Sequence, residues 1–171
     1  MTNPSDKISK LHFEVNNFGY YKNINRKIST FRQNGRSDYQ LIYIDKGHCT
    51  IKIDGKKRHL SDGNIILFSP FERQEYSFSE NSNYYWIHFS GTDVKNTLNR
   101  LNLGDIIFQA KSLFEFKEIF NKMIKDNALN GVATTQLLTA HVISLLCLLS
   151  RKVYTKQNSL HKVIEKMQTD F

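Results

Sequence analysis

At 171 residues, 40% of them hydrophobic, the chain is long enough to bury a core of its own, and its 12 Phe and 8 Tyr exclude a disordered polymer. The net charge of +8 is spread evenly. Residues 1–91 carry 13 basic and 9 acidic side chains and residues 92–171 carry 11 and 7, so no segment concentrates the excess that a DNA-reading element uses.

Taken in order, residues 1–9 are polar and without period, which predicts an arm rather than a secretory signal. Lys10–Val15 is expected as a first strand, Asn16–Gly19 as a turn, and Lys27–Arg32 as a second strand closed by Gln33-Asn34-Gly35. From Asp38 to Gly91 the chain alternates apolar and aromatic runs with Gly, Asp, Asn, Ser and Pro, the pattern of short antiparallel strands and tight turns. Asp54-Gly55 predicts a type I′ hairpin, because both of its central residues need positive φ. Asp62-Gly63 opens the strand Asn64–Ser69, and Pro70 ends it by lacking an N–H. In the aromatic strand Tyr84–Ser90, alternation sets Tyr84, Trp86 and His88 on one face and Tyr85, Ile87 and Phe89 on the other.

After Gly91 the period changes from 2 to 3.6. Thr92 is expected to cap a short helix with Val94, Leu98 and Leu101 on one face, and Asp105–Phe108 to form one more strand. Ser112 is expected to cap an amphipathic helix whose stripe is Leu113, Phe116, Phe120, Met123 and Ile124, with Lys117, Glu118 and Lys122 facing away. Gly131 is expected to stop it in a left-handed turn. The next helix, Val132–Lys152, is apolar around most of its circumference, which requires cover on two sides. The longest apolar run, Val142–Leu149, is interrupted by Ser144 and too short to span a bilayer, so no membrane partner is expected. Tyr154–Ser159 reads as a polar linker, and Leu160–Met167 as the start of another amphipathic helix. Cys49 and Cys147 read as unpaired small buried hydrophobes, consistent with a cytoplasmic protein.

The ordered landmarks Arg32, Tyr39-x-Leu41-x-Tyr43-Ile44-x-x-Gly47, Gly63 through Pro70, Tyr76 and Trp86-Ile87-His88-Phe89 resemble the effector-binding and dimerisation domain of the AraC family of bacterial transcription regulators. The resemblance covers about residues 10–152. It implies a mainly β fold, a cupin-like double-stranded β-helix followed by an antiparallel helix pair. The expected parts are an N-terminal arm at 1–9, an effector-binding barrel at 10–110, a helical dimerisation element at 111–152, and at 153–171 a linker with the start of a DNA-binding domain. Where the family commonly has a histidine four residues after the proline, this chain has Gln74.

The resemblance implies that Arg32, Tyr76 and Trp86 line the effector pocket, and the strand alternation adds Tyr84 and His88. An indole face suits the C–H face of a sugar, so the effector is expected to be a small polar molecule, a carbohydrate by preference. The competing reading has Trp86 and Tyr84 simply filling the barrel. Leu138, Val142, Leu145 and Leu149 are expected to form a homodimer seam, and DNA to be met through a domain beyond residue 171. None of the six histidines forms a His-x-His pair, and no Ser/His/Asp or Cys/His motif stands out, so neither a metal, a cofactor nor catalysis is expected. The alternatives are a metal-dependent cupin enzyme acting on a sugar or small acid and a stand-alone carbohydrate-binding module.

Overall fold

The computed structural model describes residues 13–22, 25–109 and 114–169, with side chains described as far as Val153. The expected arm at 1–9, the Ser112 cap, Leu113 and the side chains of Leu160–Met167 lie outside the described residues. Among the described residues, nine strands and three helices follow one another as β1 (Glu14–Lys22), β2 (Ile28–Arg32), β3 (Tyr39–Lys46), β4 (His48–Ile53), β5 (Lys56–Ser61), β6 (Asn64–Phe68), β7 (Gln74–Phe78), β8 (Asn83–Ser90), α1 (Val94–Arg100), β9 (Ile107–Gln109), α2 (Phe114–Leu129) and α3 (Thr134–Thr169).

Two antiparallel sheets face each other, one in the order β1-β8-β3-β6-β9 and the other β2-β7-β4-β5. This is the expected cupin-like fold with C-terminal helices. The hairpin at Asp54-Gly55 has φ of 49° and 76°, as its turn type requires, and registers Ile53 against Lys56. β3 and β6 are buried on both faces and read as unbroken apolar runs, because the first sheet is covered by the second on one side and by helices on the other. Ile42, Ile44, Ile51, Ile66, Phe68 and Phe78 fill the space between the sheets. Leu41, Tyr43, Ile65, Tyr85, Ile87 and Phe89 pack on the other side against Phe116, Phe120 and Met123 of α2 and the inner stripe of α3.

Several expectations need correction. Asn16–Gly19 is no turn: β1 runs straight through it, with a register shift between Val15 and Asn17 that accommodates the extra residue as a bulge. Lys117 does not face away, because its ammonium pairs with Asp45 at the end of β3. The left-handed residue after α2 is Asn130, at φ 42°, rather than Gly131, and Asn is the side chain that best tolerates that region after Gly. No linker interrupts α3, which stays helical through Tyr154–Ser159 to Thr169, since that stretch contains neither Pro nor Gly.

The helix face chosen for the dimer seam also needs correction. Leu138, Val142, Leu145 and Leu149 recur at helical spacing on the side of α3 that lies against the chain's own sheet and α2, and all four are buried there. They therefore hold α3 to its own subunit. The face left to solvent carries Leu137, Ala140, Ile143 and Cys147, so Cys147 is exposed rather than buried. The segment Thr134–Val153 is long and apolar enough to cross a bilayer, more so than the run read from the sequence, yet its leucine stripe is spent on the protein core.

Candidate functional site

Strand pairing sorts the inward side chains into levels. In β8, Tyr84, Trp86 and His88 stand opposite Ile44, Ile42 and Gln40 of β3, and opposite Tyr21, Gly19 and Asn17 of β1. In the facing sheet, Phe78, Tyr76 and Gln74 of β7 stand opposite Ile28, Thr30 and Arg32 of β2. Cross-strand partners share a face, and Tyr84, Trp86, Ile42, Ile44, Tyr76 and Phe78 from the two sheets meet in the inter-sheet core.

The level of Tyr84 is packing. Tyr84 stacks on Phe78 across the sheets at 4.0 Å between ring centroids and on Tyr21 at 5.4 Å, and burial, aided by Tyr76 and Tyr21, pushes its phenol up to about 12. Tyr84 thus shares the face of the other candidates but packs against Phe78 and Tyr21. At the middle level Trp86 packs against the inter-sheet core, its ring 4.9 Å from that of His88, and Tyr76 stacks on Phe68 at 5.8 Å.

The upper level is polar. An Arg32 guanidinium N–H donates to Gln74 Oε1 at 2.8 Å, and the Gln40 amide donates to the Tyr76 hydroxyl at a long 3.5 Å. Beside them Arg36 donates twice to Asp38, at 2.7 and 3.3 Å, and Asn16 donates to the same carboxylate at 3.0 Å. Burial works to raise the Asp38 carboxyl, but these hydrogen bonds outweigh it and hold the group below the usual carboxylate range. His88 is driven the other way. Burial, then the positive charges of Arg36 and Arg32, press its pKa down to about 4, so the ring is neutral at pH 7.

Three polar atoms of this level are buried without a hydrogen-bond partner: Gln40 Oε1, Gln74 Nε2 and His88 Nε2. Each orphaned group of this kind costs about 1–3 kcal/mol unless something else satisfies it. Gln40 is 5% exposed and Gln74 0%, whereas Arg32, Trp86 and His88 are half-buried, so the latter three form the solvent-side edge of the level. The sequence-derived candidates Arg32, Tyr76, Trp86 and His88 are therefore gathered across the two sheets. Gln40, Gln74 and the Arg36–Asp38 pair were missed, although a glutamine one residue before the apolar run Leu41–Ile44 was a visible signal. Among the described residues, no three of His, Cys, Asp and Glu converge to hold a metal ion.

Two cavities on the barrel lie elsewhere. One, of about 610 Å³, opens on the outer surface of the β2-β7-β4-β5 sheet between Ser29, Phe31, Thr50, His59 and Ser77. The other, of about 430 Å³, lies beside the β4–β5 hairpin, between Ile53, Phe68, Glu72, Arg73 and Ile106. Of the candidate residues, Tyr76 lines the first cavity, whereas Arg32, Trp86 and His88 line neither.

Facing antiparallel sheets with an unsatisfied polar level set into apolar walls define a ligand-binding barrel of the cupin-like kind. The family described as the AraC-like ligand binding domain matches residues 26–138, and the chain belongs to that family. No curated protein matches its sequence. Among solved structures it resembles an apo lysine-to-alanine variant of ToxT from Vibrio cholerae, with a TM-score of 0.54 at 12% identity over 86% of this chain and 57% of that one. It also resembles Vibrio cholerae ToxT bound to a methylnaphthalenyl butenoic acid, with a TM-score of 0.51 at 15% identity over 82% and 57%. The chain thus spans little more than half the length of these relatives.

Proposed function

We propose that the chain is the effector-sensing part of a transcription regulator. It binds a small polar molecule at the level of Arg32, Gln40, Gln74, Tyr76, Trp86 and His88, without turnover, and governs a DNA-binding domain outside this sequence. The observation that carries the reading is the set of orphaned buried atoms on Gln40, Gln74 and His88, which a bound ligand would satisfy together. A hydroxylated molecule such as a sugar suits that set, and the Trp86 ring offers the apolar face such a molecule needs. The acid bound by ToxT supports a small-molecule effector in this fold.

Ligand binding would bias one of two arrangements of the regulator, a coupling of typically about 1–3 kcal/mol. The unpaired Cys49 and Cys147 suit work in the reducing cytoplasm. Self-association through the solvent face of α3, at Leu137, Ala140, Ile143 and Cys147, completes the proposal. A thermal-shift screen of sugars and small acids tests the reading. A compound that raises the melting midpoint and changes the fluorescence of the single tryptophan supports it. A metal-dependent activity retained when Arg32 and Gln74 are replaced would favour a cupin enzyme instead.

A further inference from the structure

We infer that the ligand of this level carries an acid group: a carboxylate on a hydroxylated body, as in a sugar acid, seated between Arg32 and Gln74. The inference rests on the reading that this level is the effector site, and it narrows the chemical class that the site accepts.

A count of charges leads to it. Arg36 and Asp38 hold each other through two hydrogen bonds and cancel. Arg32 is left, a permanent cation whose hydrogen bond goes to a neutral amide. Among the described residues no carboxylate forms an ion pair with it. His88 adds no charge at pH 7, because its ring is neutral there. The level therefore holds one uncompensated positive charge in a half-buried place, where charge is costly unless paired.

Hydrogen-bond directions give the rest. A guanidinium can only donate, so Gln74 must turn its oxygen to Arg32, and this fixes its NH₂ as the orphaned end. What remains of both partners, the other guanidinium N–H groups and the Gln74 amide, can only donate, and the amide has no acceptor among the described residues. A carboxylate accepts from both, through charge-assisted bonds stronger than those to a neutral hydroxyl. The orphaned Gln40 oxygen asks for the opposite, a donor, and a hydroxyl supplies it. His88 Nε2 pairs with either.

The test uses glycolate, the smallest hydroxy acid, and ethylene glycol as its neutral counterpart, at ionic strength matched with chloride. Both are titrated into isotopically labelled protein while the Arg32 Nε–H, Gln74 side-chain amide and His88 ring signals are followed. Saturable shifts with glycolate alone are expected. They should weaken roughly tenfold or more in Arg32→Gln, as loss of a charged hydrogen-bond partner implies. Gln74→Glu, which gives Arg32 a counter-ion of its own, should abolish them. Equal shifts with both probes would overturn the acid group and leave the effector site standing. No shift from either probe in the wild type would overturn both, and glycolate shifts undiminished in the two variants would place the anion elsewhere.

Discussion

The indole of Trp86 lies over Gly19, so close that a Cβ on that glycine would stand 3.0 Å from Trp86 Cζ2 and 3.2 Å from Cε2. Gly19 and Trp86 are register partners in β1 and β8, and the missing side chain on one strand makes room for the large one on the other. The tryptophan is thereby laid flat along the wall of the site, next to His88.

Gly19→Ala should therefore displace the indole by a few tenths of an ångström while leaving the sheet intact, since alanine is at ease in a strand. The expected result is a shifted Trp86 emission maximum, weaker ligand-induced stabilisation and a melting midpoint little changed. Emission identical to wild type would mean that Gly19 does not set the ring's position.

Acid titration separates His88 from Asp38. The His88 ring has a folded pKa of about 4 against an unfolded value near 6.5, so the unfolded chain takes up a proton that the folded one refuses. Stability should fall as pH drops from about 6.5 to about 4 on this account. Asp38, with its folded pKa below the unfolded one, contributes stability that is present above the unfolded value and lost as pH falls through the folded one. Melting midpoints measured from pH 7 to pH 3 should show both declines in the wild type, and His88→Gln should remove the upper one alone. An unchanged upper decline in that variant would contradict the buried neutral ring.

The two sides of α3 should respond oppositely. Leu145 is fully buried, and Leu145→Ala should cost about 2–5 kcal/mol by denaturant unfolding. Ile143→Glu, on the solvent face, should keep the fold and lower the sedimentation coefficient from that of a dimer to that of a monomer. A wild type that sediments as a monomer at high concentration would end the dimer proposal.

What the sequence made legible follows from the period-2 pattern. Alternation along Tyr84–Ser90 placed Trp86 and His88 together on one face, and Asp54-Gly55 fixed its hairpin, because both are local rules with a local cause. The α3 face was misassigned for the opposite reason. A helix apolar on most sides does not say which side its own sheet takes, and only the packing of Leu138, Val142, Leu145 and Leu149 decides it. The polar level was half legible for the same reason: Gln40 and Gln74 are distant in sequence and acquire meaning only when β3 and β7 face each other.

Within the site, Trp86→Ala should abolish ligand-induced stabilisation and also lower the melting midpoint, since the ring packs on the inter-sheet core. Arg32→Ala should weaken binding with little change in the midpoint of the free protein. Equal ligand-induced shifts in wild type and Arg32→Ala would remove Arg32 from the site.

The most direct measurement is the position of a bound molecule, read from intermolecular nuclear Overhauser effects between a hit of the thermal-shift screen and assigned side chains. Contacts from the ligand to the Trp86 indole and the His88 ring are the expected result. Contacts instead to Phe31, Thr50 and His59, which line the outer cavity of the second sheet, would contradict the account.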